Sequence, residues 1–203
     1  METRQRLPAA ERRESILAAA TVVFGERGYA GATTDQIATA AGISQAYVVR
    51  TFGSKETLFV EVARRAVGRI AAAFRSAIDA GVDTGDTGDD ADDDQPMDQR
   101  LGRAYVDLVA DRGILLSLLQ LFSLGTDPAI GPVGRETFLT IFRLLRDEAG
   151  FSAEEAGHFL AEGMLINTVL ALQLHDSDDP DAVELVTQAC GGDLTRFRAL
   201  AAG

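Results

Sequence analysis

Apolar residues recur at three- and four-residue spacing along nearly the whole chain, and the strict alternation expected of strands is scarce. That pattern predicts an all-α fold. A first helix begins near Pro8 and carries Ile16, Leu17, Ala20, Val23 and Phe24 on one face. It ends at Gly28, where a left-handed cap carries no steric penalty. Thr33 or Thr34 can cap a short second helix, 35–41, which Gly42 ends. Ser44 caps a third, 45–51, and Ser54 caps a long fourth running from Lys55 towards Ala80. Further helical stretches follow at 97–111, 113–123, 130–149, 152–175 and 180–189, with a last turn or two after Gly191-Gly192. Ser152-Ala-Glu-Glu155 is a capping box, and Asp179-Pro180 supplies a cap followed by a first-turn proline.

The second and third helices, joined by Gly42-Ile43-Ser44, have helix–turn–helix form. Ala38 and Ala41 are small enough for two helices to cross, and Ile37, Ile43, Val48 and Phe52 supply apolar pins. At about 100° per residue, Val48 and Phe52 fall on the inner face of the third helix. Ala46, Tyr47 and Arg50 then face outward, flanked by Val49 and Thr51. An outward Arg can pair with guanine O6 and N7 in a major groove, and small apolar groups can meet a thymine methyl. Thr33 and Thr34, at a helix start with free backbone N–H groups, suit a phosphate, and Lys55 can act as a point charge on another. The organisation expected is a helix–turn–helix domain over 1–54, a fourth helix (55–80) that links, and a helical domain over 55–203.

Composition narrows the function. Across 203 residues the formal charge is −12, which by itself argues against nucleic acid. The distribution reverses that. Residues 1–75 hold 11 Lys+Arg and 7 Asp+Glu, a net of +4, so the remaining 8 and 24 leave −16 for residues 76–203. Much of the acid lies in Asp79–Asp98, and residues 81–96 are expected to form a solvated, flexible loop. The spacing there fits neither a calcium-binding EF-hand nor the two-lobed aspartic proteases. A single cysteine, Cys190, excludes a disulfide framework and a thiolate metal cluster. His158 and His175 have no ligand-like spacing, and no nucleophile–base constellation or phosphate loop is present, so neither enzyme, metal nor cofactor is expected. The N-terminus lacks the apolar run of a signal peptide. The longest greasy stretch, Ile114–Leu124, is too short for a bilayer, so a cytoplasmic protein without a membrane partner is expected.

The stretch from Arg12 to Val62 resembles the N-terminal DNA-binding domain of the TetR/AcrR family of bacterial transcriptional regulators. The residues that carry the likeness are RRESILAAATVVFGERGY (12–29), TTDQIATAAGIS (33–44) and FGSKETLF (52–59). Thr126-Asp127-Pro128 and the run from Phe159 to Asn167 are also similar to many members. The resemblance implies a homodimer on a double-stranded DNA operator, with DNA contacts at Thr33, Thr34, Gln45, Ala46, Tyr47, Arg50, Thr51 and Lys55. It implies an effector pocket among the fourth to eighth helices, for which Tyr105, Leu108, Leu119, Phe122, Phe138, Phe142, Met164 and Asn167 are the candidates. By the same analogy the last two long helices would form a bundle with a second subunit, placing Gly163, Thr168, Ala171, Leu172, Val183 and Val186 at the interface. The third helix departs from the family pattern at Ala46, Tyr47, Val49 and Thr51. The reading is a repressor released from DNA by an apolar or amphipathic molecule; the alternative is an all-α small-molecule-binding protein with a vestigial helix–turn–helix.

Overall fold

A computed structural model of the chain describes residues 8–80 and 95–189, and among these there is no strand. Nine α-helices follow in order: α1 (Ala9–Gly31), α2 (Thr34–Ala40), α3 (Gln45–Phe52), α4 (Lys55–Ala80), α5 (Met97–Val109), α6 (Arg112–Ser123), α7 (Ile130–Asp147), α8 (Ala153–Ala171) and α9 (Pro180–Ala189). The acidic segment 81–94, Cys190 and the turns expected after Gly191 lie outside the described residues. No described helix is long and apolar enough to cross a membrane.

Local chemistry explains most of the boundaries. Gly28 (φ +70°) breaks α1, as its sequence suggests, and a final turn follows before Ala32. Thr33 and Gln36 form a reciprocal capping box at the start of α2. Gly42 (φ +66°) makes the turn into α3, where the Ser44 hydroxyl accepts from the Tyr47 N–H. Asp111 caps α6, accepting from the N–H groups of Gly113 and Ile114. Asp127 does the same for Ala129 and Ile130 ahead of α7, a physical reason for the Thr126-Asp127-Pro128 signature.

One helix differs from expectation. The apolar run to Leu174 suggests that α8 continues to His175, yet it stops at Ala171. Gln173 takes a left-handed conformation (φ +56°), and a short 3-10 turn at Leu174–Asp176 follows. That turn folds His175 inward, where it is buried.

Two hydrophobic cores result. In the N-terminal one, Ile16, Phe24, Ile37, Val48 and Phe52 gather around Leu58 and Phe59 of α4, with Phe24, Tyr29 and Phe59 in mutual ring contact. In the second, Val67, Ile70 and Phe74 of the same helix pack against α5, α6, α7 and α8. One stripe on α4 therefore serves both cores. A second junction is the crossing of α1 with α6, where a Cβ on Gly25 would lie 3.2 Å from the Gly113 Cα. The Gln120 amide donates to the Phe24 carbonyl at 2.7 Å across the same crossing.

Candidate nucleic-acid interface and cavity

The outer surface of α3 follows from its helical phase. Val48 and Phe52 are buried, while Ala46, Val49, Arg50 and Thr51 are exposed. Tyr47 lies between these extremes, half-buried at the edge of the first core. Its ring carries the guanidinium of Arg50 4.9 Å from its centroid and that of Arg12, from α1, at 5.2 Å. Arg12 was not among the expected surface groups. No sequence spacing signals a contact between the start of α1 and the middle of α3.

The polar residues expected at this face are engaged in distinct ways. The Gln45 amide donates to the Thr34 hydroxyl at 3.0 Å, which ties the start of α3 to the start of α2. Thr33 accepts from the Gln36 N–H as a cap, and the Thr51 hydroxyl donates back to the Tyr47 carbonyl. Each remains exposed or half-exposed, and the hydroxyl protons of Thr33 and Thr34 are not consumed by these bonds. Lys55 departs from the expectation of a free point charge. Its ammonium donates to the carbonyls of Tyr29 (2.8 Å) and Ala32 (3.1 Å) and lies 4.7 Å from the centre of the Tyr29 ring. The break at Gly28 exposes carbonyls at the end of α1, and a cation there is the natural partner. Burial pushes the Tyr29 phenol up from its ordinary pKa, with the charges of Glu56 and Asp127 adding to the effect.

The second core encloses a cavity between α4, α5, α6, α7 and α8. Of the expected lining residues, Tyr105, Phe122, Phe138, Met164 and Asn167 meet there, joined by Val67, Phe74, Thr137, Phe159 and Gly163, among others. Leu108 and Leu119 pack into the core instead, and Phe142 faces a shallow outer groove between α7 and α8. The free volume is about 50 Å³. Among the described residues, no charged side chain lines it. Its polar feature is the Tyr105 hydroxyl, which donates to Asn167 Oδ1 at 2.9 Å. Burial drives the Tyr105 phenol up to about 12, with the Asn167 hydrogen bond acting in the opposite direction, so it stays protonated near neutrality. The Asn167 amide nitrogen meets only the Met164 sulfur, at 3.8 Å, a weak acceptor.

The expected interface residues divide. Gly163 and Val186 are buried within the protomer: Gly163 faces Tyr105 in the cavity wall, and Val186 seals α9 onto α8. Ala171 and Val183 are half-buried, whereas Thr168 is exposed and Leu172 is 65% exposed. With His158, Ala161 and Leu165, these last two make an exposed stripe at spacings of three and four along α8, and Leu185 on α9 is also exposed.

The fold and these two features define a helix–turn–helix head on a helical, cavity-bearing body. Residues 16–62 match the profile of the bacterial regulatory proteins of the tetR family. The chain is 40% identical over 78 residues to the HTH-type transcriptional activator FasR of Mycolicibacterium smegmatis, across 38% of this chain and 36% of that one. It is 41% identical over 59 residues to the HTH-type transcriptional repressor AcnR of Corynebacterium glutamicum, across 29% of this chain and 31% of that one. The matched stretches thus span about a third of the length of these relatives. Over almost the full length, the fold is similar to that of the multidrug binding protein EbrR complexed with malachite green, with a TM-score of 0.56, 21% identity, and 95% and 96% of the two chains covered. The likeness to the tetR family rests on the head, residues 16–62. FasR and AcnR are transcriptional regulators.

Proposed function

We propose that the protein is a dimeric, sequence-specific DNA-binding transcriptional regulator whose affinity for DNA responds to a small molecule. The observation that carries this reading is the exposed face of α3, with Arg50 outward on a helix held by the Ser44 cap and the Val48 and Phe52 pins. A guanidinium so placed suits guanine O6 and N7, with Ala46 beside it for a thymine methyl. Thr33, Thr34, Gln45 and Thr51 surround it as phosphate or sugar contacts, and the Tyr47 ring lies 4.9 Å from its guanidinium. Lys55 has two of its three N–H groups spent internally and contributes first to the head's geometry.

The cavity supports an uncharged or amphipathic effector. A cation or carboxylate entering a lining without charged side chains would lose hydration and gain no partner. An acceptor on an otherwise apolar molecule suits the Asn167 amide. Small-molecule binding by a protein of the same fold lends support to the site, although the bound dye there is a different chemical case. A second copy covering Leu165, Thr168 and Leu172 on α8 and Leu185 on α9 would bury the exposed stripe and pair two heads, as operators with two half-sites require. Repression is the mode proposed, with effector binding favouring the DNA-free state.

Selection of duplexes from a fragmented genome, followed by mobility shift, tests the reading. Recovery of a common half-repeated sequence is the expected result. Retention of no duplex at low salt would establish the alternative, a helical small-molecule binder with a vestigial head.

A further inference from the structure

Four arginines of the head and linker are paired with carboxylates. Arg13 pairs with Glu61 at 3.0 Å, Arg65 with Glu14, Arg69 with Asp111 at 3.5 Å and Arg75 with Glu148 at 2.7 Å. Arg12 and Arg50 have no carboxylate partner among the described residues and share a single aromatic ring, that of Tyr47. Two cations drawn to one ring repel each other, and the face of a ring offsets a charge far less well than a carboxylate does. The arrangement is a local excess of positive charge beside an exposed helix face.

Stacking also settles what the guanidinium groups can still do. A planar guanidinium lying over a ring gives up hydration on one face but keeps its N–H donors at its edges, where a planar or tetrahedral anion is met. Arg12 Nε is buried without a hydrogen-bond partner, so that side chain is already partly withdrawn from water and its freedom is already reduced. Its neighbour Arg13 lies 5.0 Å from the Phe52 ring centre, so two successive residues of α1 hold the middle and the end of α3. Phosphates run along both edges of a groove that a helix enters, and the Tyr47 contact brings Arg12 of α1 beside the outer face of α3.

We propose that Arg12 contacts a DNA backbone phosphate and that Tyr47 is the residue that positions it, together with Arg50, for the duplex. This rests on the DNA-binding reading above. The site therefore extends from α3 onto α1, with base recognition assigned to Arg50 and charge neutralisation to Arg12. Tyr47 accordingly acts through its ring rather than through its hydroxyl.

The test uses the full chain and the duplex that the wild type selects from a randomised pool, with affinities measured across a salt series. Arg12→Ala should weaken binding several-fold at moderate salt, reduce the slope of log K against log salt by about 0.9, and leave base preference unchanged. Arg12→Lys should keep the slope. Tyr47→Phe should behave as the wild type, whereas Tyr47→Leu should weaken binding and make a further Arg12→Ala change cost less than it does alone. Arg146→Ala, which removes a cation lying 6.0 Å from the Phe142 ring in the body, serves as the control and should change nothing. A wild-type salt slope in Arg12→Ala overturns the assignment, and so does a loss of affinity accompanied only by a lower melting temperature. If the wild type selects no duplex, the DNA-binding reading itself falls, and this assignment with it.

Discussion

Arg50 and Lys55 lie five positions apart and look interchangeable in sequence as cations near a helix–turn–helix, but their surroundings separate them. Arg50 is exposed with its guanidinium beside the Tyr47 ring, so its donors are open to a base. On the proposed reading, Arg50→Ala costs about 1–3 kcal/mol of DNA affinity and relaxes preference at one base pair. Competition with singly substituted duplexes checks it, and unchanged preference would reassign the outward face. Lys55 is bound to two carbonyls at the broken end of α1. Lys55→Met should therefore lower the stability of the head by about 1–2 kcal/mol, read from urea unfolding, since charge-assisted hydrogen bonds are among the stronger ones. A variant as stable as the wild type would return Lys55 to the role of a free phosphate contact. Periodicity could assign faces to Val48, Arg50 and Phe52 because that needs only the local phase of one helix. It could not assign the partner of Lys55 or bring Arg12 to Tyr47, since those contacts depend on how separate helices cross.

At the scale of elements, starts were more legible than ends. Ser152 illustrates a start: its hydroxyl accepts from the Glu155 N–H, and the Glu155 carboxylate accepts from the Ser152 N–H at 2.7 Å. The backbone bond, followed by the Ser152 side-chain bond, holds the Glu155 carboxyl below its ordinary pKa. Folding thus favours its charged form. The resulting stability is complete above the usual carboxylate value of about 4.3 and is lost as pH falls through the lower, folded-state value. Glu155→Gln should melt below the wild type at pH 7, with the gap closing as pH drops into the acid range; a gap independent of pH would rule this out. The end of α8 was hidden because neither Gly nor Pro marks it, and Gln173 is held left-handed by the return of the chain to bury His175. The shortened helix leaves Leu172 at the tip of the exposed stripe. If a second copy covers that stripe, Leu172→Asp should shift the protein from dimer to monomer in sedimentation while its helical signal persists. A variant that stays dimeric would place the interface elsewhere.

On the scale of the whole molecule, residues 1–75 carry a net of +4 and the remainder −16, and the head is joined to the body by one helix and one crossing. Helix α4 carries its stripe from Phe59 in the first core to Phe74 in the second. Helix α6 is fastened to the head at Gly113 and Gln120, and directly after Gln120 it presents Leu121 to the first core and Phe122 to the cavity. Phe122 packs against both cores and stands edge-to-face with Phe138 at 5.6 Å. Its place in the lining was implied by the family resemblance, but its contact with the head was not, because that requires knowing where α1 crosses α6. The free volume of about 50 Å³ is small beside the roughly 300–1,000 Å³ of sites for drug-sized ligands. Entry of an effector of that size must displace lining side chains, and Phe122 is a lining residue that also packs against the first core. A ligand that moves Phe122 acts on the packing beneath α1 and α4, and so binds the two head arrangements unequally, which is the condition for it to alter DNA affinity. Phe122→Ala separates occupancy from response. The variant has room for the ligand without displacement, so effector affinity should rise or hold, while the ratio of DNA dissociation constants with and without saturating effector falls towards one. The same ratio in the variant as in the wild type would mean that the signal passes through α4 alone.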